Sequence, residues 1–298
     1  MVSVNNPAKT RVGFIGMGNM GLRMAERLLL AGYPLAVYDR TPRRAQEVTK
    51  QGAEFFQTPR ELASRCQVVM SCVTDDQAQQ EVMFGPDGAF AGVRENSVVI
   101  DLSTVSPETS RHLYQKMKAK SVPVLDAAVS GSVPQVEQGK LVIFVGGDRQ
   151  TFDQCKPLLE VLGKGFYMGD SGMGTTMKLV VNTLLGLGMQ ALAEAIAMGE
   201  KAGLPKGLLL EVLDQTAVLT PGQKSKLDNV KAGEYPAAFA LSLMQKDFAL
   251  VLGQAYDGSV AMPATAAAEQ MYTAAMARGL GHADFSVMIK YMEEVAGV

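Results

Sequence analysis

Lys178 and Asn182 stand four residues apart in "GMGTTMKLVVN" (172–182), a spacing that puts two polar groups on one face of a helix. Their neighbours Met177, Leu179, Val180 and Val181 are apolar. A lone lysine in such company reads as a side chain that snorkels out of a buried helix. A lysine facing a desolvated cleft is the chemical alternative. Its ordinary pKa of about 10.4 falls there, and its ammonium can pass a proton to a forming alkoxide.

A second constellation lies near the start of the chain. "GFIGMGNMG" (13–21) places Gly16, Gly18 and Gly21 at the G-x-G-x-x-G spacing. The spacing alone also fits a tight turn before a helix, so its surroundings decide. "RVGFI" (11–15) reads as a short buried strand, and "NMGLRMAERLLLAG" as a helix with Met20, Met24, Leu28 and Ala31 at helical spacing and Gly32 as its stop. "YPLAVYD" reads as a second strand ending at Asp39, 18 positions after Gly21. Strand, glycine turn, helix, strand and acid make a βαβ unit for a dinucleotide. Gly16 gives the tight turn, Gly18 close approach to a pyrophosphate, and Gly21 close packing of helix on strand. Residues Met17, Asn19 and Met20 complete the loop whose free N–H groups face the phosphates.

Two further stretches bring polar groups to strand ends. "DLSTVSP" (101–107) carries Ser103 and Thr104, while Ser106 and Pro107 suit the cap and first position of the next helix. "DAAVSGSVP" (126–134) puts Ser130, Gly131 and Ser132 in a turn whose N–H groups suit a carboxylate, or in a plain surface turn. A nicotinamide cofactor needs a proton-handling partner. The two histidines, His112 in a surface helix and His282 in a terminal turn, are poorly placed for it. Cys66, Cys72 and Cys155 form no CxxC or ligand cluster, so no metal is expected.

These residues need a frame. Strand candidates at 68–73, 97–102, 122–127 and 141–147 alternate with amphipathic helices up to about residue 168, which predicts an α/β, mainly parallel, doubly wound sheet of Rossmann type. Its ligands bind outside the carboxyl ends of the strands. At "GFYMGDSGMGTT" (165–176) the pattern changes to helix and turn. The expected division is a dinucleotide-binding domain over 1–170 and an all-helical substrate and oligomerisation domain over 171–298, with Lys178 on the helix that begins at their junction.

Composition narrows the class. The 298 residues include 47% hydrophobic and 19% charged, with a net charge of −2, which gives no footprint for nucleic acid. "KMKAK" (116–120) reads as a solvated helix end. "MVSVNNPAKT" lacks an apolar signal core, and the helix over 179–199 is interrupted by Asn182, Gln190 and Glu194. A core helix is expected there, not a membrane span. Unpaired cysteines point to a reducing, cytoplasmic compartment.

The signals for the cofactor pull in opposite directions. Asp39 suits the 2′-hydroxyl of NAD(H) and repels a 2′-phosphate. Arg40, Thr41, Arg43 and Arg44 follow at once, and an arginine fork grips a phosphate. Several cations face one acid that can turn towards Arg40 or solvent. NADP(H) is therefore the expected cofactor, with NAD(H) usable.

"GFIGMGNMG", "DLSTVSPET", "DAAVSGSVPQVEQGKL", "GMGTTMKLVVN" and "KDFALVL" (246–252) occur in this order through nearly the whole chain. Together they resemble the β-hydroxyacid dehydrogenase family, which includes the 3-hydroxyisobutyrate dehydrogenases. "VLGKGFYMG", "YPAAFALSLMQKDFALVL" and "MPATAAAEQMY" look most like its glyoxylate/succinic semialdehyde reductases. The resemblance implies Lys178 as general acid in reduction and base in oxidation, with Asn182 positioning lysine and substrate. It implies that Ser130 and Gly131 hold a substrate carboxylate and that Thr104 sits beside nicotinamide and substrate. Val73, Thr74 and Lys246 are implied at the cofactor, and Phe239 and Asp247 at the substrate, closing over the cleft from the helical domain. A small carboxylate-bearing aldehyde or hydroxy acid and a homodimer or homotetramer follow as partners. Ala128 stands where the family usually has proline, a small change in turn stiffness. Alternatives are a 3-hydroxyisobutyrate or tartronate semialdehyde oxidoreductase and, in another class, a non-catalytic dinucleotide-binding module. Relatives of the last kind and imine reductases typically lack the lysine, which is present here. A 6-phosphogluconate dehydrogenase has a much longer helical domain.

Overall fold

The apolar run after Arg11 becomes strand β1 (Val12–Ile15), every residue of which is buried. In the computed structural model residues 6–298 are described. Residues 1–5, half of the polar N-terminal stretch, lie outside them. Seven more strands follow: β2 (Leu35–Tyr38), β3 (Glu54–Phe55), β4 (Val68–Ser71), β5 (Val98–Asp101), β6 (Val124–Ser130), β7 (Leu141–Gly147) and β8 (Gly163–Gly169). They form one sheet in the order β3-β2-β1-β4-β5-β6-β7-β8. All neighbours are parallel except β6 and β7. Strands buried on both faces carry continuous apolar runs, as β1, β4 and β5 do. The order reverses between β1 and β4, the switch point at which such sheets bind ligands.

Eight helices flank the sheet: α1 (Asn19–Leu30), α2 (Gln46–Lys50), α3 (Pro59–Arg65), α4 (Asp76–Phe84), α5 (Ala89–Gly92), α6 (Pro107–Lys118), α7 (Val133–Glu137) and α8 (Arg149–Leu162). Helix α1 buries Gly21, Met24, Ala25 and Leu28. Ala31 caps the helix and is exposed, so it falls outside the expected stripe. Helix α6 starts as its sequence predicts: Ser106 Oγ accepts a 3.1 Å bond from Thr109 N–H, with Pro107 in the first position. Strands β3 and β8 escaped the sequence reading. The first has only two residues. The second, "GKGFYMG", is an edge strand without the continuous burial that marks an inner one.

The chain divides into two compact units, Met1–Lys178 and Leu179–Val298. Helix α9 (Met173–Lys201) runs from the first into the second. It is long and apolar enough to cross a membrane. Here Met189, Leu192, Ala193 and Ile196 from it enter the core of the second unit. The rest of that unit is α10 (Lys206–Gln215), α11 (Pro221–Lys224), α12 (Leu227–Ala232), α13 (Leu241–Asp257), α14 (Pro263–Ala277) and α15 (Met288–Ala296). Gly186 lets α9 lie against Phe248, because a Cβ there would run into the Phe248 ring.

A buried carboxylate organises the segment before α13. Asp284 Oδ2 accepts from Lys226 Nζ at 2.8 Å and from the N–H groups of Ala238 and Phe239, each at 3.1 Å. Its Oδ1 accepts from Ser286 N–H and Oγ. Burial raises the carboxyl's pKa, but the bonds from Lys226, Phe239 and Ser286 win and hold it below the ordinary aspartate value. Asp284 therefore adds stability above that ordinary value and loses it as the pH falls through the lowered one. Asp284→Ala is expected to cost about 3 kcal/mol, because it leaves the Lys226 charge, the amides of Ala238, Phe239 and Ser286 and the Ser286 hydroxyl without their acceptor. Chemical denaturation at neutral pH reads this, and a loss below about 1 kcal/mol would show that water replaces the carboxylate.

Candidate active site

The loop after β1 is shaped by what side chains would strike. Gly16 has φ +98°, and a Cβ on it would collide with the Cys72 carbonyl. A Cβ on Gly21 would collide with the Gly16 carbonyl, so α1 sits as close to β1 as the motif requires. At Gly18 nothing lies within 4 Å of the missing Cβ, and Gly18 and Asn19 are exposed. Gly18 is also the N-cap of α1 and supplies no capping side chain to its first-turn N–H groups. An open glycine before an uncapped helix N-terminus fits a dinucleotide's phosphates.

Asp39 departs from the expected orientation. It is 6% exposed. Its Oδ2 accepts 2.8 Å from Met17 N–H, and its Oδ1 accepts 2.7 Å from Thr41 N–H. The carboxylate turns neither to Arg40 nor to solvent; it ties the glycine loop to the end of β2. Met17 is correspondingly buried and its N–H is spoken for, while Met20 is half-buried. Arg40, Thr41, Arg43 and Arg44 are all exposed beside this corner.

The ends of β4 and β5 are tied together. Ser71 Oγ (2.8 Å) and Ser103 N–H (3.1 Å) donate to Asp101 Oδ1, and Ser103 Oγ accepts 2.9 Å from Val73 N–H. Val73 is half-buried and Thr74 exposed, its hydroxyl 3.1 Å from Asp75. Thr104 is half-buried after this anchor, and Ser106, not Thr104, caps α6. Burial pushes the Asp101 carboxyl above the usual aspartate range. Asp101 was missed in the sequence, although an acid inside the apolar run "VVID" was its signal.

At the end of β6, Ser130 is half-buried, and Gly131 has φ +135°, a conformation that favours glycine. Ser132 N–H donates to Gln135 Oε1 at 2.9 Å. The expected carboxylate donors thus narrow from three residues to Ser130 and Gly131. Lys178 is 9% exposed on α9.

In the second unit, Asn182 is fully buried and its Nδ2 donates to Asp247 Oδ2. Its Oδ1 has no hydrogen-bond partner among the described residues. Lys246 Nζ stands 2.9 Å from Asp247 Oδ1. Phe239 is half-buried and packs edge-on against Phe285, centroids 5.8 Å apart. His112 lies edge-on to Phe84, and His282 is exposed. Burial pushes all three cysteine thiols up to about 12, which leaves them protonated and poor nucleophiles.

Residues 11–172 match the family described as the NAD binding domain of 6-phosphogluconate dehydrogenase, and residues 172–292 match the NAD-binding domain of NADP-dependent 3-hydroxyisobutyrate dehydrogenase. Glyoxylate/succinic semialdehyde reductase 1 of Arabidopsis thaliana is 36% identical over 94% of this chain and 97% of its own. 2-(Hydroxymethyl)glutarate dehydrogenase of Eubacterium barkeri is 33% identical, covering 97% and 96%. The crystal structure of 3-hydroxyisobutyrate dehydrogenase from Salmonella typhimurium superposes with a TM-score of 0.87 at 27% identity, over 95% of this chain and all of that one. With a glycine cradle at the switch point, both domain matches and relatives similar along nearly their full length, the chain belongs to the family of NAD(P)-dependent β-hydroxyacid dehydrogenases.

Proposed function

We propose that the protein reversibly reduces small carboxylate-bearing aldehydes, such as succinic semialdehyde and glyoxylate, to hydroxy acids. NAD(P)H, when bound, supplies the hydride. Lys178, as an ammonium, gives its proton to the forming alkoxide and stabilises its charge; in oxidation it takes the proton back. Asn182 orients substrate and lysine. Ser130 Oγ and the Gly131 N–H receive the carboxylate, with Thr104, Phe239 and Asp247 as further substrate contacts. Val73, Thr74, Thr104 and Lys246 meet the cofactor with the glycine loop. The observation that carries this reading is the buried pair on α9: a nearly buried lysine followed one turn later by a fully buried asparagine with an unmatched oxygen. The 3-hydroxyisobutyrate and tartronate semialdehyde reactions use the same groups, and oxidation of NADH and NADPH across such aldehydes separates them. Cofactor oxidation by none of them would favour a dinucleotide-binding module.

The same reading extends to cofactor choice. NADP(H) is the preferred cofactor, and NAD(H) is usable. Its support is the inward carboxylate of Asp39 beside exposed Arg40, Thr41, Arg43 and Arg44. Two N–H bonds turn the Asp39 carboxylate inward and offset part of its charge, and the exposed cations beside it suit a phosphate. Wild type is expected to show higher kcat/KM with NADPH than with NADH, and Arg40→Ala to shrink that ratio on the order of 10-fold. A wild-type preference for NADH, or a ratio unmoved in Arg40→Ala, would return the decision to Asp39.

The protein works in the cytoplasm as a homodimer or homotetramer, with neither nucleic acid nor membrane as a partner. Exposed Val180, Leu184 and Met198 on α9, with Leu208 and Val212 on α10, support self-association. Light scattering is expected to give a multiple of the 31.8 kDa chain mass; a monomer at micromolar concentration contradicts it.

A further inference from the structure

Asp126 lies within β6 and is 2% exposed. Its Oδ1 accepts a 2.7 Å bond from Gly172 N–H, and its Oδ2 a 3.0 Å bond from Thr175 N–H. Both donors belong to the entry of α9, whose first N–H groups have no partner inside the helix. The surroundings are shaped for this contact. A Cβ on Gly146 of β7 would lie 2.7 Å from each carboxylate oxygen. One on Gly174 would run into the Phe144 carbonyl and come within 2.6 Å of the Asp126 carbonyl. Gly172 has φ +90°. Thr175 Oγ1 is 2.9 Å from Ser110 Oγ on α6, a second bolt on the same turn. The stretch "GMGT" is therefore held by one carboxylate, and Lys178 follows Thr175 by three residues on the same helix face.

We propose that Asp126 is a positioning residue for Lys178: its ionised carboxylate, accepting from both Gly172 and Thr175, fixes the height and rotation of the first turn of α9. The inference rests on the reading of Lys178 as the proton donor. Ionisation matters because a protonated carboxyl turns one acceptor oxygen into a donor and cannot serve both amides. Burial chiefly, with the charge of Asp101 beside it on β5, pushes the Asp126 carboxyl up to about 6, against the pull of the Gly172 and Thr175 bonds. Asp101 is its register partner in the sheet and is itself raised by burial. From β7 it meets Gly146, from the turn before α9 Gly172, and from α9 Gly174 and Thr175; the Arg111 guanidinium of α6 packs against Gly172, where a Cβ would lie 3.0 Å from its Nη1.

The sign of the effect separates positioning from plain stability. A folded-state pKa raised from 3.8 to about 6 means that Asp126 favours the fold below 3.8 and loses that contribution as the pH rises through about 6. Positioning runs the other way, because the two-acceptor clamp exists only above about 6. Between about pH 5 and 7 the account expects kcat to rise with an apparent pKa near 6 while thermal stability gains nothing from this group.

The test uses the full-length enzyme with NADPH and succinic semialdehyde, measuring kcat, KM and Tm from about pH 5 to 8 in wild type, Asp126→Asn and a core control, Leu158→Ala. Asp126→Asn is expected to lose kcat at neutral pH on the order of 10-fold or more. Its KM for NADPH should stay within about twofold, and its acid limb near pH 6 should vanish. Leu158→Ala should lower Tm and keep both kcat and the limb. Should Asp126→Asn fail to fold, the wild-type comparison decides alone: a kcat limb near 6 supports the proposal, and a flat kcat across that range overturns it. A folded Asp126→Asn with wild-type kcat and an intact limb also overturns it. Lys178→Ala run alongside separates the two ideas. Wild-type turnover in that variant removes the lysine reading itself, whereas its loss beside an unaffected Asp126→Asn removes only the present inference.

Discussion

Lys178→Ala should turn over carboxylate-bearing aldehydes on the order of 10²- to 10⁴-fold more slowly than wild type, the range of a lost general acid that also stabilises developing charge. The substitution removes the only ammonium that the account gives to the forming alkoxide, and the methyl left behind offers neither proton nor charge. The effect should fall on kcat. KM for the cofactor should hold, because in this reading the lysine serves the substrate, while the glycine loop and the Asp39–Arg40 corner after β2 serve the cofactor. Lys178→Arg is an informative companion, since it keeps the charge but gives up a proton less readily. It should keep binding and still fail to restore turnover. Steady-state kinetics with NADPH, checked by a thermal melt to confirm folding, measures this. Near-wild-type kcat in Lys178→Ala would remove the lysine from the mechanism.

Much of this frame is legible in the residues themselves. The βαβ start, the cap at Ser106 and the strands in "VVMSCV" and "LVIFVGG" follow from apolar runs and turn chemistry; the second strand matches its run, and the first stops at Ser71, two residues short of it. Strand β8 was not legible, because its glycines and half-exposed residues carry a weak strand signal and its place at the sheet edge is a tertiary fact. In the candidate site, the types and spacing of Lys178, Asn182, Ser130 and the glycines were legible, since their chemistry is local. The carboxylates that hold the scaffold were not. Asp101, Asp126 and Asp284 each bond groups distant in sequence or across strands, and no spacing rule reports such partners. Asp39 shows the same limit. Its position at the end of β2 was predictable, but its choice of Met17 and Thr41 as partners was not.

The substrate's own charge carries the second large effect. On the proposed reading, Ser130 at the end of β6 and Gly131 after it offer a hydroxyl and an amide to an anion. Ser130 is half-buried and Gly131 exposed; in the proposed reading a bound aldehyde without a carboxylate would cover those donors and give them no partner. Each buried unsatisfied group costs about 1–3 kcal/mol, and more where its partner was to be an ion. A site of this kind rejects the analogue that lacks the polar group far more strongly than it rejects a change of one methylene. Discrimination on the order of 10²- to 10⁴-fold in kcat/KM is therefore expected between aldehydes of the same chain length. It should weaken in Ser130→Ala, while cofactor affinity stays put. The most direct measurement is kcat/KM for succinic semialdehyde against butyraldehyde, with NADPH saturating and one enzyme preparation. The account predicts that succinic semialdehyde wins by at least about 10²-fold; butyraldehyde reduced as efficiently would contradict it.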